Sequence, residues 1–124
     1  MQDKRLEQVN ERGKLRKIRI SLQENIEFIE KFFLDLCEYK YGDKSELLQG
    51  QLDVCKYIIS QIDKWVISAN PINLFYFRNW CYDEIYECID ELCRQKDLKH
   101  YLKGKIIAYI YTIELISINN KQKG

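Results

Sequence analysis

Proline and glycine are scarce in this chain: Pro71 stands alone, with five glycines among 124 residues. Sandwiches and barrels need many tight turns, so this shortage excludes them and favours a few long helices. Histidine is scarcer still, with His100 the only one. That removes the Glu-x-x-His pairs of di-iron bundles and leaves one residue for any histidine-dependent dyad. The cysteines (Cys37, Cys55, Cys81, Cys88 and Cys93) are odd in number and contain no Cys-x-x-Cys pair, so neither a zinc site nor a disulfide framework is expected. Most of them fall on apolar stripes, where cysteine acts as a small hydrophobe.

Other absences narrow the chemistry further. There is no Gly-x-x-x-x-Gly-Lys loop, no Gly-x-Gly-x-x-Gly turn and no Gly-x-Ser-x-Gly elbow. No catalytic residue, metal or cofactor is therefore expected. The longest apolar run, residues 106–118, contains Thr112, Glu114 and Ser117 and falls short of the roughly 18 residues of a membrane span. The start MQDKRLEQVNERGK has no apolar stretch of the signal-peptide kind, and the expected location is the cytoplasm, with no membrane partner. An excess of one charge is also missing: 20 basic against 19 acidic side chains give +1, which argues against a surface built wholly for phosphate backbones.

What is present is strongly periodic. With 46% apolar and 31% charged residues, the chain suits one domain with a real core. Leu15, Ile18, Leu22, Ile26, Ile29, Phe33 and Leu36 recur at steps of three and four, the spacing of one helical face. Leu48, Leu52, Cys55, Ile59, Ile62 and Val66 repeat the pattern, as do Leu74, Phe77, Cys81, Ile85, Cys88 and Leu92. A fourth stripe comprises Leu98, Leu102, Ile106, Tyr109, Ile113 and Ile116, but there the opposite face (Ile107, Ile110, Tyr111, Leu115) is apolar too. A helix apolar all round is central or shared with a second molecule, so a homo-oligomer through the last helix is one expectation. Asp43-x-x-Glu46 reads as a capping box, Asn70-Pro71 as the start of the third helix and Asp97 as a cap for the fourth. The pattern predicts an all-α, single-domain antiparallel four-helix bundle with helices over about 14–40, 44–68, 71–95 and 98–118. Residues 1–13 and 119–124 are expected as frayed ends or helical extensions.

Three clusters compete as sites. Arg12, Lys14, Arg16, Lys17 and Arg19 form a basic stripe that could meet phosphates or an acidic partner, without aromatics to stack bases. Asp83, Glu84, Glu87, Asp90 and Glu91 form an acidic stripe on the third helix, read as facing away from Cys81, Ile85 and Cys88. Tyr82 and Tyr86 stand beside it, with Arg78 near the border, and tyrosines on a surface mark interfaces. Arg78, Tyr82, Asp83, Tyr86, Glu87 and Asp90 are therefore the candidate protein-binding set.

The third cluster is Arg94-x5-His100, which resembles the motif of helical HEPN-type RNases, an Arg followed by a polar residue and, four to six positions later, a His. The resemblance covers two residues and a four-helix organisation. It implies that His100 would act on a 2′-hydroxyl proton and Arg94 on the phosphate, usually across a dimer.

The leading expectation is a non-enzymatic protein that docks on a larger, nucleic-acid-processing partner such as a nuclease. That is the manner of small inhibitors, antitoxins, immunity proteins or phage anti-defence proteins. A nucleic-acid-binding accessory subunit using Arg12 to Arg19 is the alternative, and the RNase reading stands third.

Overall fold

The structure is a computed structural model that describes residues 4–38, 42–69 and 72–121, with side chains for 10–32, 45–69 and 72–121. It is an all-α four-helix bundle: α1 (Lys4–Glu38), α2 (Gly42–Ile67), α3 (Leu74–Arg94) and α4 (Lys99–Lys121), with a 3-10 turn at Lys96–Leu98. Leu15, Ile18, Leu22, Ile26 and Ile29 of α1 are all buried, as the stripe requires. Phe33 and Leu36, like Cys37, lie outside the described side chains. Helix α1 continues ten residues ahead of the expected start, so 4–13 are helical extension.

Successive helices run antiparallel. The start of α1 meets the end of α2 through Arg12 and Val66, and Tyr109 of α4 meets Glu84 of α3. The closest pair, however, is α2 with α4, which run parallel across the bundle. Two glycines allow this approach. A Cβ on Gly50 would fall well inside contact distance of the Tyr101 carbonyl oxygen, and one on Gly104 would do the same at the Leu47 carbonyl oxygen. Glycine inside a helix costs about 1 kcal/mol in propensity, offset here by backbone-to-backbone packing that no side chain permits.

This crossing resets the phase of α4. Leu102, Tyr109 and Ile116 are buried as expected, but Ile106 and Ile113 are only half-buried. Gly104, Ala108, Thr112, Leu115 and Asn119 are buried along the side nearest α2. The two polar members are satisfied within their own helix: Thr112 Oγ1 donates to the Ala108 carbonyl and Asn119 Nδ2 to the Leu115 carbonyl, each at 2.8 Å.

Between α2 and α3 the spacer is aromatic. Trp65 meets Phe77 edge-on at 5.0 Å and Trp80 at 5.5 Å, and Trp80 also touches Tyr57 and Tyr109. Large rings hold these backbones apart where the glycines draw α2 and α4 together. Cys55, Cys81 and Cys88 are buried in this core, while Cys93 is exposed. Burial pushes all three buried thiols up, away from the reactive thiolate.

The caps differ from expectation. Asn73, three residues after Asn70, caps α3 by accepting from the Tyr76 N–H at 2.9 Å; Asn70 and Pro71 lie outside the described residues. Helix α2 already includes Asp43, whose side chain is not among those described, and Asp97 sits in the 3-10 turn, two residues ahead of α4.

Two tertiary contacts replace local capping. The Glu11 carboxylate accepts from the Leu74 N–H at 3.1 Å, placing an anion at the N-terminus of α3, where the helix dipole favours it. Arg12 donates from Nε to the Val66 carbonyl (3.0 Å) and from Nη2 to the Ser68 carbonyl (2.9 Å), at the end of α2. Adjacent residues of α1 thus clamp both ends of the α2–α3 connection.

Candidate functional site

Helix α3 packs chiefly on α4 and turns one long side to solvent. Leu74, Phe77, Cys81 and Cys88 are buried, with Ile85 and Leu92 half-buried beside them. The outer side carries four large aromatics: Phe75 is 58% exposed, Tyr76 61%, Tyr82 44% and Tyr86 70%. Asp83, Glu87 and Asp90 are exposed next to them. Tyr86 lies one turn from Tyr82 and one from Asp90, so apolar ring area and carboxylates alternate along one surface. Near the end of α3, Glu87, Asp90, Glu91, Arg94 and Gln95 line an open recess of about 410 Å³.

The five-carboxylate stripe does not hold together. Glu84 is half-buried on the inner side and accepts a hydrogen bond from the Tyr109 hydroxyl at 3.3 Å; Glu91 is half-buried as well. Glu84 follows Cys81 by three residues and precedes Cys88 by four, so helical phase sends it inward with them. Arg78 also leaves the acidic group. It is half-buried, with its guanidinium over the Phe75 ring at 5.5 Å, and lines a recess of about 380 Å³ with Glu11, Ile116, Ser117 and Asn120.

Glu84 belongs instead to a polar cleft that sequence reasoning missed. Asp53, Tyr57, Glu84, Tyr101, Lys105 and Tyr109 line about 280 Å³ where α2, α3 and α4 meet. The Tyr101 hydroxyl donates to Asp53 Oδ2 and Gln49 Nε2 to Asp53 Oδ1, both at 2.7 Å. Burial, reinforced by Asp53, pushes the Tyr101 hydroxyl up to about 12. Burial and the nearby Glu84 push Tyr109 up as well. Both phenols therefore act as hydrogen-bond donors at neutral pH, and the cleft serves as a cross-brace. Among the described residues, no group of three or more His, Cys, Asp or Glu side chains could hold a metal.

The basic stripe is largely engaged inside the molecule. Arg12 belongs to the clamp, and Arg19 grips Asp63 with Nε at 2.6 Å from Oδ1 and Nη2 at 3.2 Å from Oδ2. Lys14 lies 3.9 Å from Glu11. Arg16 and Lys17 remain as the exposed pair. Arg94 ends α3 and turns back on Asp90 (Nη2 to Oδ2, 3.7 Å), whereas His100 is half-buried in the first turn of α4.

Comparison of the chain with protein-family models, with curated proteins and with solved structures finds no match in any of the three. No helix among the described residues is long and apolar enough to cross a membrane.

Proposed function

We propose that this bundle is a non-enzymatic docking domain that binds a basic surface on a larger macromolecule through the outer side of α3. The observation that carries the reading is the exposure of Tyr82 and Tyr86 beside Asp83, Glu87 and Asp90 on a helix whose inner side is already buried. Exposed aromatic area is costly in water and productive in an interface, where tyrosine contributes apolar surface and a hydrogen-bonding tip. The flanking carboxylates steer association toward positive charge and reject acidic surfaces. A nuclease or other nucleic-acid-processing protein offers such a surface, because its cleft is built to hold phosphates. An inhibitor, antitoxin, immunity or anti-defence role in the cytoplasm fits this chemistry.

The catalytic reading has less support, since Arg94 is directed at Asp90 and burial holds the Tyr101 and Tyr109 hydroxyls of the polar cleft in their protonated form. The nucleic-acid reading rests on Arg16 and Lys17, too few cations for strong phosphate binding. A gel shift at low salt tests that alternative: retardation of RNA or DNA that is lost in Arg16→Glu/Lys17→Glu would favour it over docking. The docking reading is tested by reversing Asp83, Glu87 and Asp90 to lysine and measuring partner binding alongside helical circular dichroism. Binding should vanish while the fold persists.

A further inference from the structure

The outer side of α4 is apolar, although the inner side already supplies the core. Ile107 is 43% exposed and Ile110 46%, with half-buried Ile106 and Ile113 beside them. One exposed charge stands at each end of this patch, Lys103 before it and Glu114 after it, and neither forms an ion pair among the described residues. Lys103, Ile107, Ile110 and Glu114 follow steps of four, three and four, so they share one helical side. Their order is symmetric about the midpoint between Ile107 and Ile110. A solvent-facing helix ordinarily carries polar residues here, so this patch is unusual for a lone bundle.

We infer that α4 pairs antiparallel with α4 of a second copy of this chain, about a two-fold axis between Ile107 and Ile110. In that register Ile107 of one copy lies level with Ile110 of the other, and Lys103 lies level with Glu114 at both ends. One patch then meets itself, as an isologous dimer requires. Parallel pairing would set Lys103 against Lys103 and Glu114 against Glu114, so charge selects the antiparallel arrangement. This pairing uses none of Tyr82, Asp83, Tyr86, Glu87 and Asp90 of α3, so it stands apart from the docking reading.

Sedimentation equilibrium of the full chain at high micromolar concentration tests this directly. The expected result is a dimer of about 30 kDa, twice the 15.0 kDa chain. Ile107→Asp combined with Ile110→Asp should give a monomer of unchanged helical content. Lys103→Glu alone and Glu114→Lys alone should each weaken the dimer by about tenfold, an effect of interfacial charge mispairing. The two exchanges together should restore it. A chain that stays monomeric at every concentration overturns the inference, as does a dimer indifferent to the isoleucine substitutions. A dimer that the paired exchange fails to restore overturns the register, and with it the proposal.

Discussion

Arg12 of α1 and Val66 of α2 are joined across 54 residues of sequence by a hydrogen bond of 3.0 Å, from the guanidinium Nε to the backbone carbonyl. The adjoining Glu11 accepts from the first N–H of α3, so two consecutive side chains hold two helix ends at once. What reads in sequence as a basic docking stripe begins as a structural clamp. Arg12→Ala and Glu11→Ala should each destabilise the fold by about 1–2 kcal/mol, because each strands backbone groups at a helix terminus. Arg16→Ala and Lys17→Ala should stay within about 0.5 kcal/mol of the parent. Urea denaturation followed by circular dichroism separates the two outcomes.

The glycines give a prediction of opposite signs from one chemical change. Gly50→Ala and Gly104→Ala push a methyl group into backbone carbonyls of the facing helix, and should cost roughly 1–3 kcal/mol or more despite the better propensity of alanine. Gly13, also helical, has nothing within 4 Å of an added Cβ. Gly13→Ala should therefore stabilise the protein by about 0.5–1 kcal/mol. Thermal unfolding should show Tm falling for the first two and rising for the third.

Alkaline titration probes the polar cleft. Tyr101 and Tyr109 keep their protons in the folded protein well beyond the ordinary tyrosine value of 10.0. Above that value the unfolded chain has lost protons that the folded one retains, so stability must fall as pH rises. The contribution is fully present below about pH 10 and is lost as pH climbs through the folded value of Tyr101, about 12. Phenolate absorbance should show Tyr101 and Tyr109 ionising only as the fold opens. Tyr101→Phe should flatten part of the stability loss.

The four helices were legible because stripes at three- and four-residue steps belong to single faces, and Leu15 through Ile29 are buried as that spacing demands. The closest helix pair was not legible, since Gly50 and Gly104 read locally as weak points in helices and gain their meaning only from the backbone opposite. The clamp was hidden for the same reason: nothing near Arg12 in sequence announces Val66. Glu84 is a different case. Its phase relative to Cys81 and Cys88 already pointed inward, and grouping it with its acidic neighbours obscured that signal. The α3 cap moved from Asn70 to Asn73 because both are asparagines ahead of an apolar run, and local chemistry does not choose between them.

The outer side of α3 should tolerate substitution without loss of fold. Tyr82→Ala, Tyr86→Ala, Asp83→Lys and Glu87→Lys remove exposed groups and should each change stability by no more than about 0.5 kcal/mol. Cys81→Ser, on the inner side of the same helix, places a hydroxyl where a fully buried thiol sits and should cost about 1–3 kcal/mol. Parallel denaturation curves for the five variants check this contrast.

The docking account is tested most directly by affinity capture from the native host. Parent chain, the Asp83→Lys/Glu87→Lys/Asp90→Lys variant and the Arg16→Glu/Lys17→Glu variant would be compared, with captured proteins identified by mass spectrometry and rebound in purified form. The account predicts a partner with a basic surface, retained by the parent and by the Arg16/Lys17 variant and lost from the α3 variant while its helices remain. A partner held equally well by the α3 variant would contradict it.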